Sequence, residues 1–309
     1  MGKYIGKRLL HLIWIIIAIS FLTFLLMYLA PGDAAMKKLN AQGVAVSQDV
    51  LDAVRREMGL DRPFLVQYGD WALHALRGDL GESYKDGVSV ASKMGKALGY
   101  TAEPALGSMA ISLLISLPLA ILTALKRDTV LDYVIRFLTF FGNSMPNFLI
   151  SVLLMYFLCV KARLFPVVAE QSVKGLLLPA LALSVPMCGR FIRQFRAEIL
   201  EQLSRSYVSG AVSRGVKRRF ILYRNVLHNA SITILTVVGL QIGTLFGGSV
   251  VIETIFRWPG LGKLAMDAIT NRDYPVIQGF VLFTAVVYVL VNLLTDIAYR
   301  WIDPRVREE

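Results

Sequence analysis

The sequence predicts an all-α polytopic membrane protein with six transmembrane helices, and three observations carry that prediction. Mean hydropathy over the 309 residues is +0.57, and only 18% are charged where soluble domains carry about 25%. Six apolar runs reach the roughly 20 residues a helix needs to cross a hydrocarbon core of about 30 Å. The net charge of +11 falls on one side of those runs. The 55% hydrophobic content excludes disorder and argues against a basic soluble nucleic-acid binder. Two cysteines exclude a disulfide framework.

The first run, residues 9–30, follows Lys3, Lys7 and Arg8. It outruns a signal-peptide core and no A-x-A site follows, so it reads as a retained span, and 1–30 as N-terminal tail plus first helix. Residues 31–102 read as an extracytoplasmic helical subdomain. Ser47 starts a helix carrying Val50, Val54 and Met58 at helical spacing, and Gly59-Leu60-Asp61-Arg62-Pro63 stops it. A second helix runs from Phe64 to Leu76 and ends at Gly78-Asp79-Leu80-Gly81. The membrane core, 103–302, holds runs at 103–125, 134–160, 175–195, 229–256 and 275–302, and 303–309 is a tail. The third contains Asn143-Ser144-Met145-Pro146-Asn147; the fourth contains Pro179 and Pro186 and is expected to be the least regular. Irregular backbone inside a bilayer must face protein or a water-filled route; an ordinary packing kink is the plainer alternative.

Counting charge by segment orients the chain. From the end of the fourth run to the start of the fifth, the chain holds nine basic residues, Arg190, Arg193, Arg196, Arg205, Arg214, Lys217, Arg218, Arg219 and Arg224, against Glu198 and Glu201. With the basic N-terminus, this places both termini in the cytoplasm. Arg190, Arg193 and Arg196 read as snorkelling side chains at a span's inner end rather than a voltage sensor.

Soluble-enzyme motifs are missing: no G-x-x-x-x-G-K-[ST], no H-E-x-x-H and no C-x-x-C. His11, His74 and His228 lie in separate segments, and Cys159 and Cys188 suit packing. The expectation from these residues is no catalytic residue, no metal site and no cofactor bound by this chain. Polar residues on the spans, Asn143, Ser144, Asn147, Gln241, Thr244 and Ser249, are candidates to line a pathway; taken singly, each reads more readily as helix-packing glue. Asp296, four residues before Arg300, reads as a structural ion pair or as a proton relay.

The segment 203–224 is too polar to span and too patterned for a simple loop. Leu203, Tyr207, Ala211 and Gly215 keep i, i+4 spacing on a small-residued face, and the helix can break at Gly215 before Lys217-Arg218-Arg219. Such a helix suits docking to a partner protein; lying on anionic membrane lipid is the alternative, and the two are compatible.

Here the chain resembles inner-membrane permease subunits of ABC importers, in the dipeptide/oligopeptide/nickel branch. Residues 206–216, SYVSGAVSRGV, are similar to that family's coupling-helix pattern D-Y-x-x-T-A-R-A-K-G-L through Tyr207, Ala211 and Gly215, with Arg214 for Lys; Arg224, Leu227, Asn229 and Ala230 continue the match. Ser206, Gly210, Val212 and Thr233 depart from it. Pro31-Gly32-Asp33, MGLDRPFLVQYGDW from Met58, GDLGESY from Gly78, Ser144-Met145-Pro146, IETIFRWPGLG from Ile252, RDYPVIQG from Arg272 and Asp303-Pro304-Arg305 also fit, in order.

The resemblance implies a permease in a bacterial or archaeal inner membrane that forms half of a translocation pathway for peptides or a nickel or metal-chelate solute. A second homologous permease completes the pathway. Two ABC ATPase subunits, holding ATP and Mg, dock on a segment including Ser206, Tyr207, Gly210, Ala211, Arg214 and Gly215. An extracytoplasmic solute-binding protein delivers cargo. The short loop at 161–174 is closer to nickel-type members, and the pathway candidates include no imidazole or thiolate, so a metal would pass as a chelate. The alternatives are an ion-coupled secondary transporter, which should show inverted repeats, and a membrane-embedded enzyme, which should cluster titratable residues; the sequence shows neither pattern.

Overall fold

The computed structural model describes residues 2–30, 32, 34–41, 47–168 and 171–302. Pro31, Asp33 and Asp303-Pro304-Arg305 lie outside the described residues, as do the side chains of Asp296 and Arg300. The described chain is helical, with one isolated bridge between Glu82 and Ser89 and no strand. It divides into two compact units: Met1–Thr101 with Pro259–Val289, and Ala102–Trp258 with Leu290–Glu309.

The first unit contains α1 (Gly2–Leu29), α2 (Ala34–Ala41), α3 (Gln48–Glu57) and α4 (Phe64–Leu76). The Ser47 hydroxyl caps α3 by accepting the Val50 N–H at 3.4 Å. Helices α3 and α4 end at Gly59 and Gly78, both in the left-handed region (φ 66° and 81°). There the N–H of Leu60 donates to Arg55, and that of Asp79 to His74. These are Schellman caps, which glycine permits without a Cβ penalty. Helix α1 packs on α4 through aromatic edges: Phe21, Phe24 and Tyr28 meet Phe64 at 5.2–5.6 Å between centroids. A hydrogen bond of 3.0 Å joins the Ser20 and Tyr68 hydroxyls.

Helix α5 (Val90–Leu125) is 36 residues long, over three turns longer than the predicted span. Its first part, with residues of two later helices, forms the unit's core: Val90, Met94, Ala97, Leu261, Ala268 and Val276.

The second unit is organised on one buried helix. Helix α6 (Val130–Ser144) is capped by Thr129 and stops at Met145. Met145 is extended because a following proline disfavours helix. Pro146 then leads into α7 (Asn147–Leu154), which continues as a π-helical stretch, Met155–Lys161. The two pieces are bent by 103°, the geometry of a broken span or of a re-entrant loop, so the predicted third span is not one straight helix.

Helix α8 (Val173–Ser204) is continuous for 32 residues through Pro179 and Pro186, which corrects the expectation that the fourth span is the least regular. Both prolines are buried, and α6, α7 and the later helix α11 pack around α8. Neighbours hold the helix through its two missing N–H bonds. Phe191 and Phe195 stack in its core at 5.1 Å. Gly189 lets α6 approach: a Cβ there would fall 2.6 Å from the Thr139 carbonyl oxygen.

After α8 come α9 (Ser206–Ser213), the single turn α10 (Arg218–Phe220), a second π-helical stretch (Ile221–Val226) and α11 (Leu227–Phe256). Helix α12 (Leu261–Asn271) belongs to the first unit, and α13 (Tyr274–Ile302) closes the described chain.

Four stretches are long and apolar enough to cross a membrane: Val90–Leu125, Val173–Ser204, Arg218–Leu245 and Tyr274–Val291. The bent pair makes a fifth if it counts as one span, and the apolar stretch Ile13–Leu29 is shorter. By length, the described residues thus carry four of the six predicted spans, and five where the bent pair counts as one.

Candidate functional site

The segment between α8 and α11 is built from three local decisions. Arg205 takes an extended conformation (φ −69°, ψ 148°) and separates α9 from α8. The predicted face from Leu203 to Gly215 therefore does not run along one helix: Leu203 belongs to α8, and only Tyr207 and Ala211 lie on α9. Next, the Tyr207 hydroxyl donates to Gln202 at 3.1 Å, and the Gln202 amide donates to Glu198 at 2.9 Å, tying α9 back onto α8. Finally, α9 ends in a Schellman cap. Gly215 has φ 76°, the Val216 N–H donates to Ala211 at 3.1 Å, and the Gly215 N–H donates to Val212 at 2.9 Å.

This geometry sorts the predicted docking residues. Ala211 is buried and Tyr207 and Gly210 are half-buried, while Ser206, Arg214 and Gly215 are exposed. Beyond the cap, Val216, Lys217, Arg218, Arg219 and Phe220 are all exposed, joined by Val212 and Tyr223. The result is a short capped helix beside a surface of mixed cationic and apolar side chains. A Cβ on Gly210 would meet only the Arg214 guanidinium at 3.5 Å, and one on Gly215 would meet nothing within 4 Å. Gly215 is thus required by its backbone angle, and Gly210 by neither angle nor space.

Sequence reasoning missed an ion pair that braces this end of the unit. Asp132, fully buried near the start of α6, accepts two hydrogen bonds from the Arg196 guanidinium on α8, at 3.0 and 2.7 Å. It also accepts the Asp128 N–H at 3.1 Å. Arg196 is therefore held inward rather than snorkelling. Arg190 departs from that reading too: it donates to Gln241 Oε1 on α11 at 2.9 Å. Arg193 is exposed.

The pathway candidates make different kinds of contact. Gln241 meets Arg190, and half-buried Asn143 sits where α6 approaches Gly189. The Ser144 hydroxyl donates to its own helix at Phe140, and Thr244 does the same at Gln241. The Asn147 carbonyl accepts from Ser151, and Ser249 is buried.

In the first unit, two motifs nearly 190 residues apart in sequence meet. Asp273 is buried at the junction of α12 and α13. It accepts from the Ser83 hydroxyl at 2.5 Å and from the Tyr84 N–H at 2.9 Å. Lys93 joins this network, donating to Ser83 at 2.8 Å and to Asp86 at 2.7 Å. Burial, together with the Asp273 charge and Tyr274, pushes the Tyr84 hydroxyl up to about 12. Burial raises the Asp86 carboxyl, but bonds from Lys93, the Val88 N–H and Ser83 outweigh it and hold the group below the usual carboxylate range. Gly279 packs so closely that a Cβ would lie 2.7 Å from Val90. The buried Thr101 hydroxyl accepts the Leu261 N–H at 2.7 Å and so caps the start of α12. The clue in the sequence was Ser83 and Asp273 standing inside G-D-L-G-E-S-Y and R-D-Y-P-V-I-Q-G.

Residues 116–308 match the family of binding-protein-dependent transport system inner membrane components, and residues 1–103 match the N-terminal region described for such membrane components. The chain belongs to this family. Among relatives, it is 36% identical over 315 residues to a probable peptide ABC transporter permease of Sinorhizobium fredii, covering 99% of this chain and all of the relative. It is 34% identical to the permease of a metal-staphylopine import system of Staphylococcus aureus, covering 100% and 99%. A glutathione transport system permease of Salmonella choleraesuis is 35% identical, covering 99% of both. In fold, the chain is similar to a chain of the MetNI methionine ABC transporter, with TM-score 0.57 over 68% of this chain and 96% of that one, at 15% identity. The protein is an ABC importer permease, a transport subunit, and a multi-pass inner-membrane protein.

Proposed function

We propose that this permease forms half of an ATP-driven route for peptides or peptide-like metal chelates, with both termini in the cytoplasm. A second homologous permease supplies the other half, two ABC ATPases holding ATP and Mg drive it, and an extracytoplasmic protein delivers the solute. In this reading 103–302 is the permease core, 31–102 the extracytoplasmic subdomain, 303–309 a cytoplasmic tail, and the ATPase docks on 203–224. The observation that carries the reading is α9, a capped helix tied to α8 by Tyr207 and flanked by exposed Arg214, Val216 and Phe220. Closure of the ATPases draws the two docking helices together, and the rigid α8 carries that displacement into the bilayer. ATP changes the route only because the docked ATPases bind its two states unequally. The route draws on Asn143, Ser144, Asn147, Gln241, Thr244 and Ser249, though Gln241 is already engaged by Arg190. The relatives' names, peptide, glutathione and metal-staphylopine, support a solute built on an amino-acid scaffold.

The test is isolation from native membranes followed by vesicle transport. A complex with a second permease and two ATPases, taking up peptide only with ATP, is expected. Uptake driven by an ion gradient without ATP contradicts the proposal.

A further inference from the structure

The second unit holds a cation that its fold leaves without an anion. Arg190 is half-buried on α8, within the candidate span Val173–Ser204. Among the described residues no carboxylate pairs with it, whereas Arg196, further along the same helix, takes Asp132. The Arg190 guanidinium instead donates to Gln241 Oε1 on α11 at 2.9 Å.

Depth makes that contact unusual. Gln241 stands near the middle of the apolar run 229–256, about 18 Å along the helix from residue 229 at 1.5 Å per residue. A second gauge agrees. The Cys188 carbonyl, just before Arg190, accepts from the Ser116 hydroxyl at 3.4 Å, and Ser116 lies about 14 Å from the end of the run 103–125. In a hydrocarbon core of about 30 Å, the guanidinium therefore sits at roughly half depth. A charge there is costly unless it faces the bundle interior or a water-filled cavity, where such residues mark solute pathways. An arginine at a span's end snorkels to water; this one reaches across to α11.

The donor set is one-sided. A guanidinium offers five N–H groups and no acceptor, and the bond to Gln241 uses one nitrogen, Nη1. That bond occupies the Gln241 amide oxygen, so the amide presents its N–H groups. Both residues are half-buried, and Thr244, one turn further along α11, is exposed. A ligand suited to these donors brings acceptors only and a negative charge. A carboxylate does both, and it meets a guanidinium in a two-bond fork. Every unmodified peptide carries one at its C-terminus.

We infer that Arg190 and Gln241 form a carboxylate-binding station halfway along the route, where they hold the C-terminus of the passing peptide. The inference rests on the reading that the importer carries peptide-type solutes. It makes this chain, and not only the delivery protein, a selector of cargo.

The test uses the complete transporter in lipid vesicles, with Cys159→Ser and Cys188→Ala so that Thr244→Cys supplies this chain's single thiol. Two methanethiosulfonates of opposite charge, sulfonatoethyl and trimethylammonioethyl, label that thiol, and mass spectrometry gives their rates relative to free cysteine. Preference for the anionic reagent is expected. Arg190→Gln should cut the anionic-to-cationic ratio about tenfold, the order of one charge-assisted hydrogen bond, and Arg190→Lys should keep most of it. With Arg190 intact, excess trialanine should slow labelling and trialanine amide should not; this arm decides alone if Arg190→Gln fails to assemble. No labelling by either reagent, or a ratio unchanged by Arg190→Gln, overturns the station and leaves the peptide reading standing. Equal protection by trialanine and its amide, the pattern of an arginine engaged by an acidic residue of the second permease, does the same. The parent transporter with its solute-binding protein supplies the last arm: no ATP-driven uptake of trialanine or of any other short peptide overturns both.

Discussion

Gly215 shows what a single residue does here. Its φ of 76° lies where a side chain with a Cβ is strained, yet the space around it is open. A β-branched residue is worst in that region, and Asn adopts it with least cost. Gly215→Val should therefore weaken the α9 cap by about 1–2 kcal/mol and lower transport per ATP hydrolysed, while Gly215→Asn keeps both near the parent; equal behaviour of the two variants contradicts the cap. The sequence announced this stop, as it did those at Gly59 and Gly78. It did not announce Arg257 and Arg272, which end α11 and α12 at φ 53° and 54°, because arginine carries no preference for that region. Tyr84 adds a pH prediction. Its folded value of about 12 lies above the unfolded 10.0. It therefore contributes stability that is intact below pH 10 and lost as pH rises toward 12. Melting curves of the parent should fall more steeply between those pH values than those of Tyr84→Phe.

Among elements, the α6–α8 contact is the most exacting. Gly189→Ala would push a methyl to 2.6 Å from the Thr139 carbonyl oxygen, whereas Gly142→Ala would meet Val185 at 3.4 Å. The first should destabilise the purified protein by about 1–3 kcal/mol and the second by far less, as thermal unfolding in detergent can measure. Asp132→Asn leaves the Arg196 charge without its carboxylate partner beneath the same contact. A loss of about 3–5 kcal/mol is expected; a double-mutant cycle with Arg196→Met that shows no coupling contradicts the pairing. Element identity was readable from hydropathy and from helix stops. The break at Met145-Pro146 was readable too, since a residue before proline avoids helix. The continuity of α8 was not, because it depends on the neighbours that enclose Pro179 and Pro186. Nor was the extent of α5, whose first turns join the core around Val90 and Met94 rather than a lipid-facing span. The Asp132–Arg196 and Ser83–Asp273 pairs join residues far apart in sequence, and hydrophobic periodicity carries no information about such pairs.

For the whole molecule, the proposed function reads the +11 charge as a report on topology and docking rather than on a polyanionic ligand. The cationic side chains around α9 are exposed, and exposed apolar ones, Val212, Val216 and Phe220, interleave with them. A helix meant only to rest on lipid headgroups does not need a tether to α8 through Tyr207, Gln202 and Glu198. A helix meant to transmit force does. The most direct test places a photo-reactive residue at Val212 in the complete transporter and identifies what it captures. The account predicts a covalent adduct with an ATPase subunit whose yield changes when ATP is added. Capture of lipid alone, with ATP-driven transport intact, would contradict it.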